Sequence, residues 1–203
     1  MIKMSIEGLK YCILLTLGVT LIIPIIGIII AGIKNGVLKF FNKVSKGRGA
    51  GMWWFIYGMV LFPGTVFHEG AHALGALITG ARVKDISVIP DRKKGTLGET
   101  LIEPRGSKLM QSLQLTVSAT SPVSFGIIAL VVGIFLLYPI CTAFWQKAII
   151  TYLSLAIFFH MSMSTEDVKA WAKGIVFVLI PIFLIFLVLT LTGVILPATG
   201  LMN

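Results

Sequence analysis

The stretch from Trp53 to Thr79 contains His68-Glu69-Gly70-Ala71-His72, an H-E-x-x-H pattern inside an apolar run that is long enough to cross a lipid bilayer. Residues four positions apart lie on one face of an α-helix, so His68 and His72 can direct two imidazole nitrogens at one Zn²⁺. Glu69 then projects beside the metal, where a carboxylate can act as general base toward a bound water. The motif therefore predicts a zinc site within the membrane.

Chance and ordinary packing are weaker explanations of this pattern. Because the chain of 203 residues has only 3 His, a random match is expected on the order of once in a thousand such chains. A Glu and two His within a membrane span are also costly, so by default they indicate a function. The alternative is that the two His only hydrogen-bond to neighbouring helices.

Composition predicts an integral membrane protein. Hydrophobic residues make up 57% of the chain, charged residues only 12%, and the mean hydropathy is +0.97. We expect one all-α, multi-pass domain of the cell membrane over residues 1–203, with a catalytic core at 53–174 between an N-terminal part (1–52) and a C-terminal span (175–203). Five apolar runs are the predicted spans: Tyr11 to Ile33, Trp53 to Thr79, Leu113 to Tyr138, Ala148 to Met163 and Ile175 to Leu196.

The formal net charge of +9 comes from Lys and Arg in the segments that flank these spans. They are not interleaved with aromatic residues on one surface, so the pattern argues against nucleic-acid binding. With five spans, the larger share of basic residues lies beside the N-terminus and in the Gly80 to Ser112 loop, which predicts that both are cytoplasmic. Residues 33–51 mix five basic residues with apolar ones, and we expect an amphipathic helix lying on anionic headgroups.

The loop after the motif predicts a small β-hairpin between spans two and three. Gly80 can end the motif helix, Val83 to Ile89 is rich in β-favouring residues, and Thr96 to Ile102 can return as a second strand after a turn at Asp91 to Gly95. A free strand edge can hold an extended peptide by main-chain hydrogen bonds. The alternative, with equal weight, is a solvated connecting hairpin that does not contact substrate.

Two His form an incomplete zinc site, because a catalytic zinc usually takes three protein ligands and keeps one position for water. The predicted third ligand is Asp167, an acid at the end of the fourth apolar run, where acids are unusual. Glu166 is the second choice, although it projects about 100° away on a helix. His160, seven residues before Asp167, is an alternative ligand or a supporting residue.

With these motifs, the chain resembles the site-2 proteases, a family of intramembrane zinc metalloproteases, from about Trp53 to Gly174. Those enzymes have H-E-x-x-H in one transmembrane helix, followed by a Gly-Val-type turn and short membrane-associated strands. The same order is found here in His68-Glu69-Gly70-Ala71-His72, Gly80-Ala81-Arg82-Val83 and the predicted hairpin.

The resemblance extends to the next two helices, with departures. Ala119-Thr120-Ser121-Pro122-Val123-Ser124-Phe125 is similar to the family's Gly-Pro segment, with Ser121 in place of the Gly. Asp167 is similar in position to the Asp of an N-P-x-x-P-L-D-G element, but both prolines are missing, His160 lies near the expected Asn and Glu166-Asp167-Val168 replaces L-D-G.

The family resemblance implies a function and a site. It implies zinc held by His68, His72 and Asp167, with Glu69 as the catalytic base. The implied activity is hydrolysis of peptide bonds in or near transmembrane segments of membrane-protein substrates.

Two other classes of function stay open from the sequence. A catalytically silent membrane scaffold can use the same helices to bind partner helices. A metal or ion transporter is the other, although the chain has no inverted repeat and few spans. Glu69 discriminates between enzyme and scaffold, because a binding scaffold does not need a general base.

Overall fold

The computed structural model describes residues 6–45, 50–91 and 96–194. Within these ranges the chain is mostly helical and contains one two-stranded sheet, which confirms the predicted helical protein with a small hairpin. The elements in chain order are α1 (Ile6–Val44), α2 (Ala50–Val60), α3 (Phe62–Ile78), β1 (Arg82–Ser87), β2 (Glu99–Glu103), α4 (Lys108–Ile140), α5 (Phe144–His160) and α6 (Thr165–Leu191).

Three helices, α1, α4 and α6, are long and apolar enough to cross a membrane. They correspond to the first, third and fifth predicted spans. The second predicted span is divided at Leu61 into α2 and α3, and Pro63 lies in the first turn of α3, where its missing N–H leaves no helical hydrogen bond unmade. Both α3 and α5 have 17 residues, slightly fewer than the roughly 20 that usually cross a bilayer.

Helix α1 continues through much of the basic segment that was predicted to lie on the membrane surface. It has 39 residues, which at 1.5 Å per residue is about 58 Å and nearly twice the hydrocarbon thickness of a bilayer. Residues 33–44 are therefore helical as expected, but they extend the first predicted span without a break. Residues 46–49 of the segment lie outside the described residues.

The hairpin follows α3 directly. Gly80 has φ 84° and ends α3 in the left-handed conformation that glycine adopts without strain. Strands β1 and β2 pair antiparallel from Arg82 opposite Glu103 to Ser87 opposite Glu99, with a bulge near Val83. The second strand begins later than predicted. The predicted turn at 92–95 lies outside the described residues.

Glycines bring the helices around α3 into close contact. A Cβ on Gly64 of α3 would collide with the backbone carbonyl of Ala156 in α5, and a Cβ on Gly75 of α3 would collide with Ser121 in α4. Gly174 of α6 meets α4 in the same way. Small residues at helix crossings are the usual means of association in lipid, where burying apolar surface gives no driving force. Helix α3 is thereby held between α4 and α5.

Polarity inside and outside the bundle is reversed relative to a soluble protein. Thr65, Thr116 and Ser118 are buried, whereas Ile29 and Phe135 are exposed by 56% and 70%. Apolar side chains on the outside and hydrogen-bonded hydroxyls inside are what a hydrocarbon solvent favours.

Candidate metal centre

Two helices bring the predicted ligands together. His68 and His72 project from α3, and Asp167 lies in the first turn of α6. One ligand atom from each lies within 4.8 Å of the others. The two Nε2 atoms are 3.1 Å apart, and His72 Nε2 is 3.6 Å from Asp167 Oδ1. Bonds of 2.0–2.1 Å to a tetrahedral zinc put neighbouring donor atoms about 3.3 Å apart, so the three residues fit that ion.

Backbone carbonyls orient both imidazole rings. His72 Nδ1 donates to the carbonyl of Ser118 at 2.8 Å, and His68 Nδ1 donates to the carbonyl of His160. A carbonyl oxygen only accepts, so each Nδ1 carries the proton and each Nε2 keeps a free lone pair in the neutral ring. Metal-binding histidines commonly show this arrangement, with one nitrogen donating to an acceptor and the other on the metal.

The short distance between the two Nε2 atoms fits a cation better than a hydrogen bond. With both rings neutral and both protons on Nδ1, neither Nε2 has a proton to donate to the other. Two lone pairs facing each other at 3.1 Å repel, and burial of His72 keeps water from screening that repulsion. A metal ion between them would replace the repulsion with two bonds.

The cap of α6 orients the carboxylate of Asp167. Its Oδ2 accepts hydrogen bonds from Ser164 N at 2.8 Å and from Ser164 Oγ at 2.6 Å. Ser164 Oγ in turn accepts from Asp167 N at 3.1 Å, which completes a reciprocal cap at the helix N-terminus. One carboxylate oxygen is occupied by these bonds, and the other faces His72.

The alternative third ligands are engaged elsewhere. Glu166 is exposed and pairs with Lys169 at 2.7 Å. His160 donates from Nδ1 to the carbonyl of Ala156 at 2.9 Å, and its Nε2 accepts from the hydroxyl of Thr65 at 3.0 Å. His160 therefore contributes to the cluster through its backbone carbonyl, which receives the proton of His68 Nδ1.

Glu69 is buried against the hairpin. Its side chain is part of a residue that is only 5% exposed, and Oε2 accepts a hydrogen bond from Thr100 Oγ1 at 2.6 Å. A Cβ on Gly98 would lie 2.7 Å from Glu69 Cγ, so only a glycine lets the hairpin approach this closely. The sequence places Thr100 on the predicted second strand, but no pattern there indicates its bond to Glu69.

A polar cavity of about 300 Å³ opens beside these groups. His68 and Glu69 form part of its wall, and the other walls come from α1, α2, the hairpin and the segment between α5 and α6. Lys34 of α1 also lines it, although the sequence analysis grouped this residue with the basic segment at the membrane surface. The signal for a different role was present in the sequence, since Lys34 directly follows the apolar run that ends at Ile33.

No family model matches the chain, and no curated protein or solved structure matches it either. What the protein can do must therefore be inferred from its own residues and their geometry.

Proposed function

We propose that the protein is an intramembrane zinc metalloprotease that hydrolyses peptide bonds in or near the transmembrane segments of membrane proteins. The observation that carries the proposal is the convergence of His68 Nε2, His72 Nε2 and Asp167 Oδ1 beside the buried carboxylate of Glu69. Two neutral histidines, one carboxylate and a neighbouring Glu form the donor set and base of a hydrolytic zinc site.

The chemistry divides between the metal and the chain. When bound, zinc supplies Lewis acidity and lowers the pKa of a coordinated water. Glu69 takes the proton of the attacking water and returns it to the leaving amine nitrogen. Thr100 donates to one oxygen of Glu69, which orients the carboxylate for this transfer.

The hairpin supports binding of an extended substrate. In a two-stranded sheet each strand has one unpaired edge, which can accept a further strand. Because Thr100 of β2 touches Glu69, a peptide added beside this hairpin would lie close to the base. A transmembrane helix must unwind before its backbone is available for such pairing.

The membrane arrangement that fits this function has five crossings, with α2 and α3 together as the second and α5 as the fourth. Val66, Leu74 and Leu77 are exposed on the outer side of α3, as expected for contact with lipid or a substrate helix. The basic residues then place the N-terminus and the hairpin loop in the cytoplasm.

The decisive experiment compares the unmodified protein with Glu69→Gln. Each is purified, loaded with zinc and incubated with membrane proteins from the same cell, with and without a zinc chelator. Glu69→Gln keeps the size of the side chain but removes its basicity, so zinc content should stay equal while cleavage falls about 10² to 10⁴-fold.

Glu103→Gln is the matched control, since Glu103 is a hairpin carboxylate paired with Lys84 at 3.4 Å and is expected to leave cleavage unchanged. Equal cleavage by Glu69→Gln would contradict a catalytic role and favour the silent scaffold. Zinc-independent binding of partner helices without any cleavage would favour it as well.

A further inference from the structure

Lys34 places an ammonium group in the wall of the polar cavity. Its Nζ donates a hydrogen bond to Ser162 Oγ at 2.8 Å, in the segment that leads into Asp167. Among the described residues that line this cavity, Lys34 is the only Lys or Arg, and His68 and Glu69 line the same space.

The charge of Lys34 has no ion-pair partner among the described residues, where its hydrogen bond is to a neutral hydroxyl. The two nearby carboxylates are engaged by other groups: Asp167 by Ser164 and the histidine cluster, and Glu69 by Thr100. A half-buried ammonium inside an apolar helix bundle is costly unless an anion accompanies it. The cavity therefore has a built site for a negative group.

We propose that Lys34 binds a carboxylate of the substrate close to the bond that is cut. The inference rests on the proposed function, and it narrows the substrate class to peptides that present either an acidic side chain or a free C-terminal carboxylate at this position. A volume of about 300 Å³ is at the small end for ligand sites, which suits a short extended segment and not a folded helix.

The test uses four short peptide hydroxamates, because the hydroxamate group binds zinc and anchors the peptide beside Lys34. All have the same neutral sequence except at the last residue, which is Glu or Gln, and each of these is made with a free or an amidated C-terminus. Dissociation constants are measured on the zinc-loaded protein in lipid nanodiscs. Zinc content and thermal stability are measured on every variant.

The unmodified protein should bind at least one carboxylate-bearing peptide about ten- to a hundredfold more tightly than the neutral, amidated Gln peptide. A preference that follows Glu assigns the group to an acidic side chain, and one that follows the free terminus assigns it to the C-terminal carboxylate. Lys34→Met should remove the preference, and Lys34→Arg should keep much of it. Lys39→Met, which removes a charge from the exposed face of the same helix, should behave like the unmodified protein.

Two results overturn the inference about Lys34 and leave the metal centre standing. One is equal binding of all four peptides to the zinc-loaded protein, and the other is a carboxylate preference that survives Lys34→Met. Loss of zinc from Lys34→Met would also overturn it, since the residue would then support the metal site itself. Failure of every hydroxamate to bind the unmodified, zinc-loaded protein would count against the proposed function.

Discussion

At the scale of single residues, the site depends on which atom of each side chain is left free. His68 and His72 give their Nδ1 protons to main-chain carbonyls, and Asp167 gives one oxygen to the cap of α6. Main-chain acceptors survive side-chain substitution, so the histidine orientation is insensitive to changes at Ser118 or His160. The ligand atoms themselves have no such backup.

Zinc content should follow the three ligands and no other acid or histidine nearby. His68→Ala and His72→Ala should abolish stoichiometric zinc, and Asp167→Ala should weaken its binding strongly. Glu166→Ala should retain full zinc, because Glu166 pairs with Lys169 on the surface. Metal analysis of the purified variants checks this. Full zinc in Asp167→Ala with loss in Glu166→Ala or His160→Ala would show that the third ligand is wrongly assigned.

Thr100 should affect catalysis without affecting the metal. Thr100→Val keeps the shape of the side chain but removes the hydroxyl that donates to Glu69 Oε2. A hydrogen bond to a charged group is worth about 1.5–3 kcal/mol, so we expect the cleavage rate to fall about tenfold or more at unchanged zinc content. Thr100→Ser, which restores the donor, should recover much of the rate; a slow Thr100→Ser with a fast Thr100→Val would contradict this role.

At the scale of helices and strands, the site depends on how closely α3 approaches its neighbours. The carbonyls that orient the histidines belong to α4 and α5, so the rings are aligned only while those helices stay in contact with α3. Gly64 and Gly75 allow that contact. The metal geometry is thus a product of helix packing as much as of the motif.

Alanine at three glycines of α3 should separate packing from propensity. Gly64→Ala and Gly75→Ala put a methyl group into neighbouring helices, and overpacking of this kind typically costs about 1–3 kcal/mol. Gly70→Ala is the matched control within the motif, since a Cβ there meets nothing within 4 Å and alanine favours a helix. Thermal unfolding and zinc content should both fall for the first two variants only. A destabilised Gly70→Ala would mean that the exposed side of α3 is packed against something else.

The sequence predicts local features of this fold well and long-range ones poorly. The hairpin and the face shared by His68 and His72 follow from periodicity over a few residues. The division of the second predicted span at Leu61, the bond from Thr100 to Glu69 and the place of Lys34 in the cavity depend on contacts between distant segments. No local pattern records those contacts, so Lys34 was assigned to the surface with its basic neighbours.

At the scale of the whole molecule, the five-span arrangement predicts opposite sides for two positions. In a variant without Cys12 and Cys141, single cysteines at Lys94 and at Asn203 should be labelled from the cytoplasm and from the outer side, respectively, by an impermeant reagent. Labelling of both from one side would refute five crossings. Both positions lie outside the described residues, so the test relies on topology alone.

Asp167 comes from a different helix and a distant part of the chain from His68 and His72, and this has a consequence for thermodynamic linkage. An ion shared by α3 and α6 acts as a removable crosslink that exists only in the folded protein. Free zinc at a hundredfold excess over its dissociation constant should then stabilise the fold by about 2.7 kcal/mol, and the melting temperature should rise with zinc concentration. In Asp167→Ala the crosslink is cut on one side, and the melting temperature should hardly respond to zinc. Availability of the metal would in this way govern how long the protein survives in its membrane, as well as whether it can act there.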